Sequence, residues 1–424
     1  MKSEACFVGV DWGGSEHLVA IYRPSTGQNQ VFKVPHTAEG LKLLVEKLRA
    51  AAPVAGVAVE GRPELLMCAL MQAACCVYSI NPKLSAAWRE AQSVAGVKSD
   101  AGDAARLAHQ LSVHYRGLRP ERVESDQIQV LARLCEDEQG LIKRRTALVQ
   151  ELEAVLKQYY PAGLACFEDW TSPTAWDFVL AYPTPGRLAT ASKAKLCRFL
   201  AAHRIGMSPL WQRRVEHRAE AAQWPCIGPA ESACALRAQC LARELKAVAI
   251  NLRSYRKEIE ALFEQHPDAG LFTSLPGAGP KLAPRLLAMM GEDRQRYEDA
   301  GGVQGLSGVA PVTVTSGNMR KVRFRRACKK RWRDTLYLFA RTSQFRCAWA
   351  RAFYLQCRER GDRDPTALRK LGYKWLKILF RMWQEKKPYD DIRYLQSLKK
   401  HGSPLIPYMK SHHKPVRKTV EKCA

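Results

Sequence analysis

The chain has 424 residues, 46% hydrophobic and 25% charged: too long for one ordinary domain and apolar enough for two or three cores. Its formal net charge is +26, and residues 318–424 alone hold 30 Lys and Arg against 8 Asp and Glu, a surplus of +22. Charge so concentrated points to a polyanion, because neutralising phosphates releases their counterions. No apolar run of about 18 residues occurs and no apolar stretch follows Met1, so neither a membrane span nor a signal peptide is expected. The 14 cysteines are scattered with no C-x-x-C pair, which argues against a disulfide framework or a zinc ribbon. Cys68, Cys240 and Cys347 lie in apolar helical contexts and read as buried free thiols of a reducing cytoplasm.

From residue 5 to about 118 the pattern is α/β. Strands are predicted at 6–12, 17–23, 29–34, 55–60 and 75–80, the first two joined through Gly13-Gly14-Ser15. Helices are predicted at 37–51, 63–74, 83–94 and 101–114. A long helix follows over 126–160, with Leu134, Leu141, Leu148 and Val155 recurring every seven residues and Pro161 as its stop. A second covers 232–265, where Leu241, Leu245, Val248, Leu252, Tyr255, Ile259 and Leu262 alternate spacings of four and three. Either the two form an antiparallel coiled-coil stalk or they pack inside a compact helical bundle. Between them, 162–231 is rich in Trp and Pro (Trp170, Trp176, Pro183, Pro185, Trp211, Trp224, Pro225) and has no assignable task. A third region opens at Leu271, runs through a helix ending at Met290, and resumes as helices near 329–343, 344–357 and 365–385. After His401 the chain is basic and reads as a poorly ordered tail. The expected domains are 1–120, 121–268, 269–400 and the tail 401–424.

Four acids carry the first chemical signal. Asp11 and Glu60 each end an apolar run that reads as a buried strand, and Asp100 and Asp103 share one face at the mouth of a helix. Clustered carboxylates repel unless cations neutralise them, and paired Mg²⁺ ions are a common tool for cutting phosphodiesters. Plainer readings stand beside this one: Asp100 and Asp103 as helix caps, Glu60 as a partner of Arg62. Gly277 and Gly279, followed by Lys281, precede a helix and can present backbone N–H groups to a phosphate, or simply make a tight turn. Ser316, before Gly317, is by type a turn residue. It is also set just before Arg320, Lys321, Arg323, Arg325 and Arg326, then Lys329, Lys330, Arg331 and Arg333, which would offset the charge on an alkoxide and a phosphate. Phe324 and Trp332 among those cations fit stacking on bases; the alternative is a solvated charged face.

Three antiparallel strands followed by β-α units, with an Asp on the first strand, resemble an RNase H-like fold. Val8-Gly9-Val10-Asp11, Val59-Glu60 and Lys98-Ser99-Asp100-Ala101-Gly102-Asp103-Ala104-Ala105-Arg106-Leu107-Ala108 resemble the RuvC-like domain of the DEDD transposases of bacterial insertion sequences. That family includes Piv-type pilin-gene invertases and bridge-RNA-guided recombinases. Leu275-Pro276-Gly277-Ala278-Gly279, Gly305-Leu306-Ser307-Gly308-Val309-Ala310-Pro311 and Ser316-Gly317 resemble its mainly helical transposase domain. The resemblance implies that Asp11, Glu60, Asp100 and Asp103 hold Mg²⁺ and that Ser316 forms a covalent phosphoserine with DNA. It also implies a guide RNA as partner, and a homo-oligomer, dimer to tetramer, that joins the two halves of the site between subunits. Where the family more often has a hydroxyl residue and Lys after the first Asp, this chain reads Trp12 to His17, so His17 is the candidate basic group there. Two other readings remain: a RuvC-like Holliday-junction nuclease that needs no serine, and a nucleic-acid-binding protein without catalysis.

Overall fold

A computed structural model describes residues 5–51, 53–92, 100–122, 124–223, 228–317 and 319–411. Lys98 and Ser99 of the acidic motif, Trp224, Pro225 and the tail beyond Ser411 lie outside the described residues. The chain forms two compact units, residues 1–123 and 124–424.

The first unit runs β1 (Cys6–Trp12), β2 (Glu16–Arg23), β3 (Gln28–Pro35), α1 (Ala38–Ala51), β4 (Val54–Glu60), α2 (Glu64–Gln72), β5 (Val77–Ile80), α3 (Pro82–Gln92) and α4 (Asp100–His114). The sheet order is β3-β2-β1-β4-β5, antiparallel across β3, β2 and β1 and parallel from β1 to β5. Side-chain alternation divides the apolar residues between two faces. Val8, Val10, Val19, Ile21, Val57 and Val59 face one side, with Leu44 and Leu48 of α1 and Leu66 and Leu70 of α2. Phe7 and Ala58 face the other, with Leu107 and Leu111 of α4. Gly9 lets α4 settle on β1: a Cβ there would lie 2.1 Å from the Ala104 carbonyl oxygen and 2.5 Å from the Ala108 nitrogen. Each predicted strand and helix of this unit is present to within two residues.

The second unit is mainly helical. α5 (Asp126–Tyr159) leads through α6 (Pro161–Leu164), α7 (Pro173–Ala181), α8 (Pro185–Ala189), α9 (Lys193–Ala202) and α10 (Pro209–Glu216) to α11 (Ala230–Glu264). α5 and α11 lie side by side and antiparallel: Gln127 donates to the Leu262 carbonyl at 2.9 Å, Arg256 to Glu138 at 3.0 Å, and Arg237 to Glu151 at 2.8 Å. At one end Ile128, Leu131, Ile259 and Phe263 enter the core of the helices that follow. At the other, Leu152, Val155, Leu241 and Leu245 share a core with Trp170, Trp176, Phe178 and Tyr182. The Trp/Pro-rich segment is therefore a helical cap on the far end of the pair. Its prolines start helices α7, α8 and α10, as Pro161 just before it starts α6, where a missing N–H costs nothing. Its tryptophans are locked by the bonds Trp170 Nε1 to the Leu164 carbonyl and Trp176 Nε1 to the Trp170 carbonyl.

Beyond lie α12 (Ala269–Thr273), α13 (Gly279–Met290), α14 (Ala300–Leu306), β6 (Val312–Ser316), β7 (Met319–Arg323), α15 (Lys330–Ser343), α16 (Ala348–Glu359), α17 (Asp364–Glu385), α18 (Asp391–Lys400) and α19 (Leu405–Ser411). Trp349, Trp375 and Trp383 are fully buried at the centre of this core. The described residues after His401 are not loose: α19 forms there, anchored by buried Leu405. The thiols divide as well. Cys347 is buried, whereas Cys68 and Cys240 are exposed, because α2 and α11 turn Leu66, Met67, Leu241 and Ala242 inward instead. No helix among the described residues is long and apolar enough to cross a membrane.

Candidate active site

The parallel register of β1 and β4 pairs Val10 with Val59, so Asp11 and Glu60 end adjacent strands side by side. Asp11 shares its face with Gly9, the face α4 covers. Phe7 meets Leu107 and Leu111, and Gly9 meets Ala104 and Ala108, so α4 runs back along β1 and brings its first turn to the strand ends. That turn carries Asp100 and Asp103. The fold thus gathers all four acids at one edge of the sheet.

The side chains of Glu60 and Asp103 are already engaged. Glu60 Oε2 accepts from Ser85 Oγ at 3.1 Å, and its carbonyl accepts from Trp12 Nε1 at 2.9 Å. Arg62 goes to Glu121 at 3.7 Å, so Glu60 does not hold it. Asp103, buried, receives both Arg89 Nε and Nη2 at 3.1 Å in a bidentate fork, together with Arg106 Nη1. Asp100 is exposed. It adds to the field that holds the Lys33 ammonium above its ordinary pKa, a shift owed first to the hydrogen bond with Glu16. The donors are all carboxylate oxygens, the chemistry a hard divalent cation prefers. Their present positions do not converge: among the described residues no three His, Cys, Asp or Glu stand where they could share an ion. Sequence reading missed Arg89 and Arg106; the latter was legible, since an Arg three residues after an Asp on a helix meets it.

His17 does not serve this edge. It pairs with Trp12 across the hairpin, while Asp11 pairs with Leu18, so His17 points to the opposite face of the sheet. There it is fully buried, its Nε2 2.9 Å from His36 Nδ1. Burial first, and His36 second, lower its pKa.

Ser316 lies on a structure that composition did not reveal, a two-stranded antiparallel ribbon of β6 and β7. Gly317, at φ +53°, follows Ser316 directly. Ser316 pairs with Met319 and is exposed at the tip. Among the described residues its hydroxyl makes no hydrogen bond. Alternation along the ribbon puts Val314, Ser316, Met319, Lys321 and Arg323 on one face and Thr313, Thr315, Arg320 and Val322 on the other. The Gly305–Pro311 motif clamps the ribbon's base: Leu306 accepts from the Lys329 N–H, Ala310 accepts from Arg325 Nε, and Gly308 (φ +71°) abuts Cys328.

The other cations divide into free and committed groups. Arg325 serves that clamp, and Arg331 pairs with Glu136 of α5 at 2.5 Å. Lys329 lies over the Trp332 ring at 4.4 Å. Arg333 and Arg369 lie over the Phe324 ring at 5.2 and 5.5 Å. Arg326 and Lys330 are exposed. Gly277 (φ +87°) faces inward, where a Cβ would lie 2.8 Å from the Thr342 backbone; Gly279 and Lys281 are exposed at the start of α13.

The comparisons with known proteins make this chain a DNA-acting enzyme, a transposase. Residues 8–161 match a DEDD-type transposase family, and residues 269–355 match the family described as "Transposase IS116/IS110/IS902 family". The chain is 30% identical over 401 residues, 91% of its own length and 96% of the relative's, to the "Mini-circle putative transposase for IS117" of Streptomyces coelicolor. It is 26% identical over 399 residues, covering 91% and 96%, to the "Insertion element IS116 uncharacterized 44.8 kDa protein" of Streptomyces clavuligerus. The chain belongs to the IS110 family of insertion-sequence transposases. The four acids fall in the first matched segment, Ser316 and its ribbon in the second.

Proposed function

We propose that this transposase is an RNA-guided DNA recombinase in which Ser316 is the nucleophile and the acidic edge of a RuvC-like domain holds a divalent cation, Mg²⁺. The observation that carries the reading is a hydroxyl with no internal partner at the tip of a cationic ribbon. Ser316 Oγ attacks the phosphorus of a DNA phosphodiester; the Oγ–P bond forms as the bond to one strand end breaks. That end leaves as a hydroxyl with the serine's proton. Attack by the hydroxyl of a new strand reverses the exchange and frees the serine, so the cycle needs no other energy source. Lys321 and Arg323, on the same face as Ser316, offset the charge that builds on the phosphate. Asp11 and Glu60, with Asp100 and Asp103, would hold the ion, which when bound neutralises phosphate charge. The basic C-terminal quarter supports a guide RNA as second polyanion. The resemblance to the DEDD transposases supports a homo-oligomer, dimer to tetramer, in which a second copy completes the site.

The test uses the full chain, labelled element-end DNA and the RNA encoded beside the gene. A detergent-resistant protein–DNA adduct is expected, and Ser316→Ala should lower its yield and strand exchange by about 10⁴-fold or more. Free cut ends with no attached protein, unchanged in Ser316→Ala, would establish the nuclease reading instead. Chelation of divalent metal should abolish cleavage; full cleavage in chelator would remove the metal from the scheme.

A further inference from the structure

A second cationic feature lies outside both matched segments. α17, α18 and the turn between them enclose a cleft of about 460 Å³. That volume is in the range that takes a small ligand or a single nucleotide. Lys374, Lys377, Arg381, Lys387 and Arg393 line it, against Glu385 and Asp390.

The charges do not balance. Glu385 is shared by Arg381 at 2.7 Å and Arg393 at 3.8 Å. Asp390 spends its Oδ1 capping α18, accepting from the N–H groups of Ile392 and Arg393. Among the described residues no carboxylate pairs with Lys374, Lys377 or Lys387. Lys374 is the informative one. Its ammonium is half-buried over Phe353 at 4.7 Å and near Trp349 at 5.7 Å. Burial lowers its pKa, as desolvation of an ammonium does. Ring faces compensate only part of that cost. Tyr389 and Tyr394 give the cleft its own aromatic surface.

We propose that this cleft seats a phosphate of a single-stranded nucleic-acid segment, with Lys374 as its anchor. The inference rests on the reading of the chain as a nucleic-acid recombinase. The backbone of a duplex reaches protruding cations such as Lys377, whereas half-buried Lys374 meets only a strand that enters the cleft. Aromatic walls beside a row of cations are the recurring means of holding unpaired nucleotides.

Anisotropy titrations of the full chain with a fluorescein-labelled single-stranded 12-mer and its duplex test the proposal. Lys374→Met should weaken single-strand binding by about tenfold and reduce the salt slope by about 0.7. Lys374→Arg should keep most of the affinity. Lys400→Met, at the end of α18 and outside the cleft, should change affinity by less than about twofold. Equal losses in Lys374→Met and Lys400→Met, or an equal loss on duplex, overturn the proposal. So does Lys374-dependent binding of AMP at millimolar concentration with unchanged oligonucleotide affinity, which would make the ligand a free nucleotide. Should Lys374→Met melt early, Lys377→Met carries the test: a loss of about threefold on single strands that exceeds its loss on duplex supports the cleft, and equal losses overturn it. Lys374→Arg should still form the Ser316 adduct, so a failed adduct with intact single-strand binding sinks only the serine, and the reverse sinks only the cleft.

Discussion

Gly9→Val is expected to separate the acidic edge into two halves and to abolish strand exchange. β1 and α4 touch backbone to backbone at Gly9, and the obstructing atoms are a carbonyl oxygen and an amide nitrogen of the helix. Neither can rotate away as a side-chain end would. Even one Cβ must push the helix outward by more than an ångström, and Ala104 and Ala108 are fully buried against the sheet with no slack. Forcing atoms into a filled core costs about 1–3 kcal/mol, and the two further carbons of valine take this site to the upper end or beyond. The helix that moves carries Asp100 and Asp103, while Asp11 and Glu60 stay with the strands. Thermal unfolding should show an earlier transition for Gly9→Val and a smaller shift for Gly9→Ala. Gly14→Ala, with nothing within 4 Å of its Cβ, should be silent. A Gly9→Val protein that melts and recombines like the parent would show that α4 is not seated as described.

Glu138→Ala is expected to loosen the root of the long helix pair. Glu138 of α5 is almost fully buried and takes Arg256 of α11 on one oxygen at 3.0 Å and Arg285 of α13 on the other at 2.7 Å. Arg285 is itself buried, and its Nε has no partner among the described residues. Removing the carboxylate leaves that guanidinium without counter-charge, a loss of about 3–5 kcal/mol. Denaturant unfolding would read it. Replacing Glu138 and Arg285 together by Met should recover most of the loss, because the one guanidinium left without its partner, Arg256, is about a third exposed and reaches water. Glu138→Ala within about 0.5 kcal/mol of the parent would show that the trio contributes nothing at this junction.

The first unit was almost wholly legible in the sequence, because its strands are short apolar runs with clear stops and its helices have one apolar stripe. The same holds for α5 and α11, whose periodicity runs the length of each helix. What escaped was structure held by tertiary contacts. The Trp/Pro-rich segment gives no period because its short helices each supply only one or two side chains to a shared core. The β6–β7 ribbon shows no burial alternation, being exposed along nearly its whole length, and so reads as a charged loop. Asp11 and Glu60 were legible as strand ends. The commitment of Asp103 to Arg89 was not, since the fork is closed by packing of α3 on α4 and not by local spacing.

The paired helices also act as a ruler. At 34 and 35 residues each spans about 50 Å, with the Trp/Pro-rich cap at one end and the serine-bearing core at the other. The facing residues repeat every seven, so adding or removing seven residues in both helices together preserves which faces meet while shifting the cap by about 10 Å. Any other length change rotates the cap out of register as well. Wherever the facing register is kept, the reach of this arm is set in steps of about 10 Å.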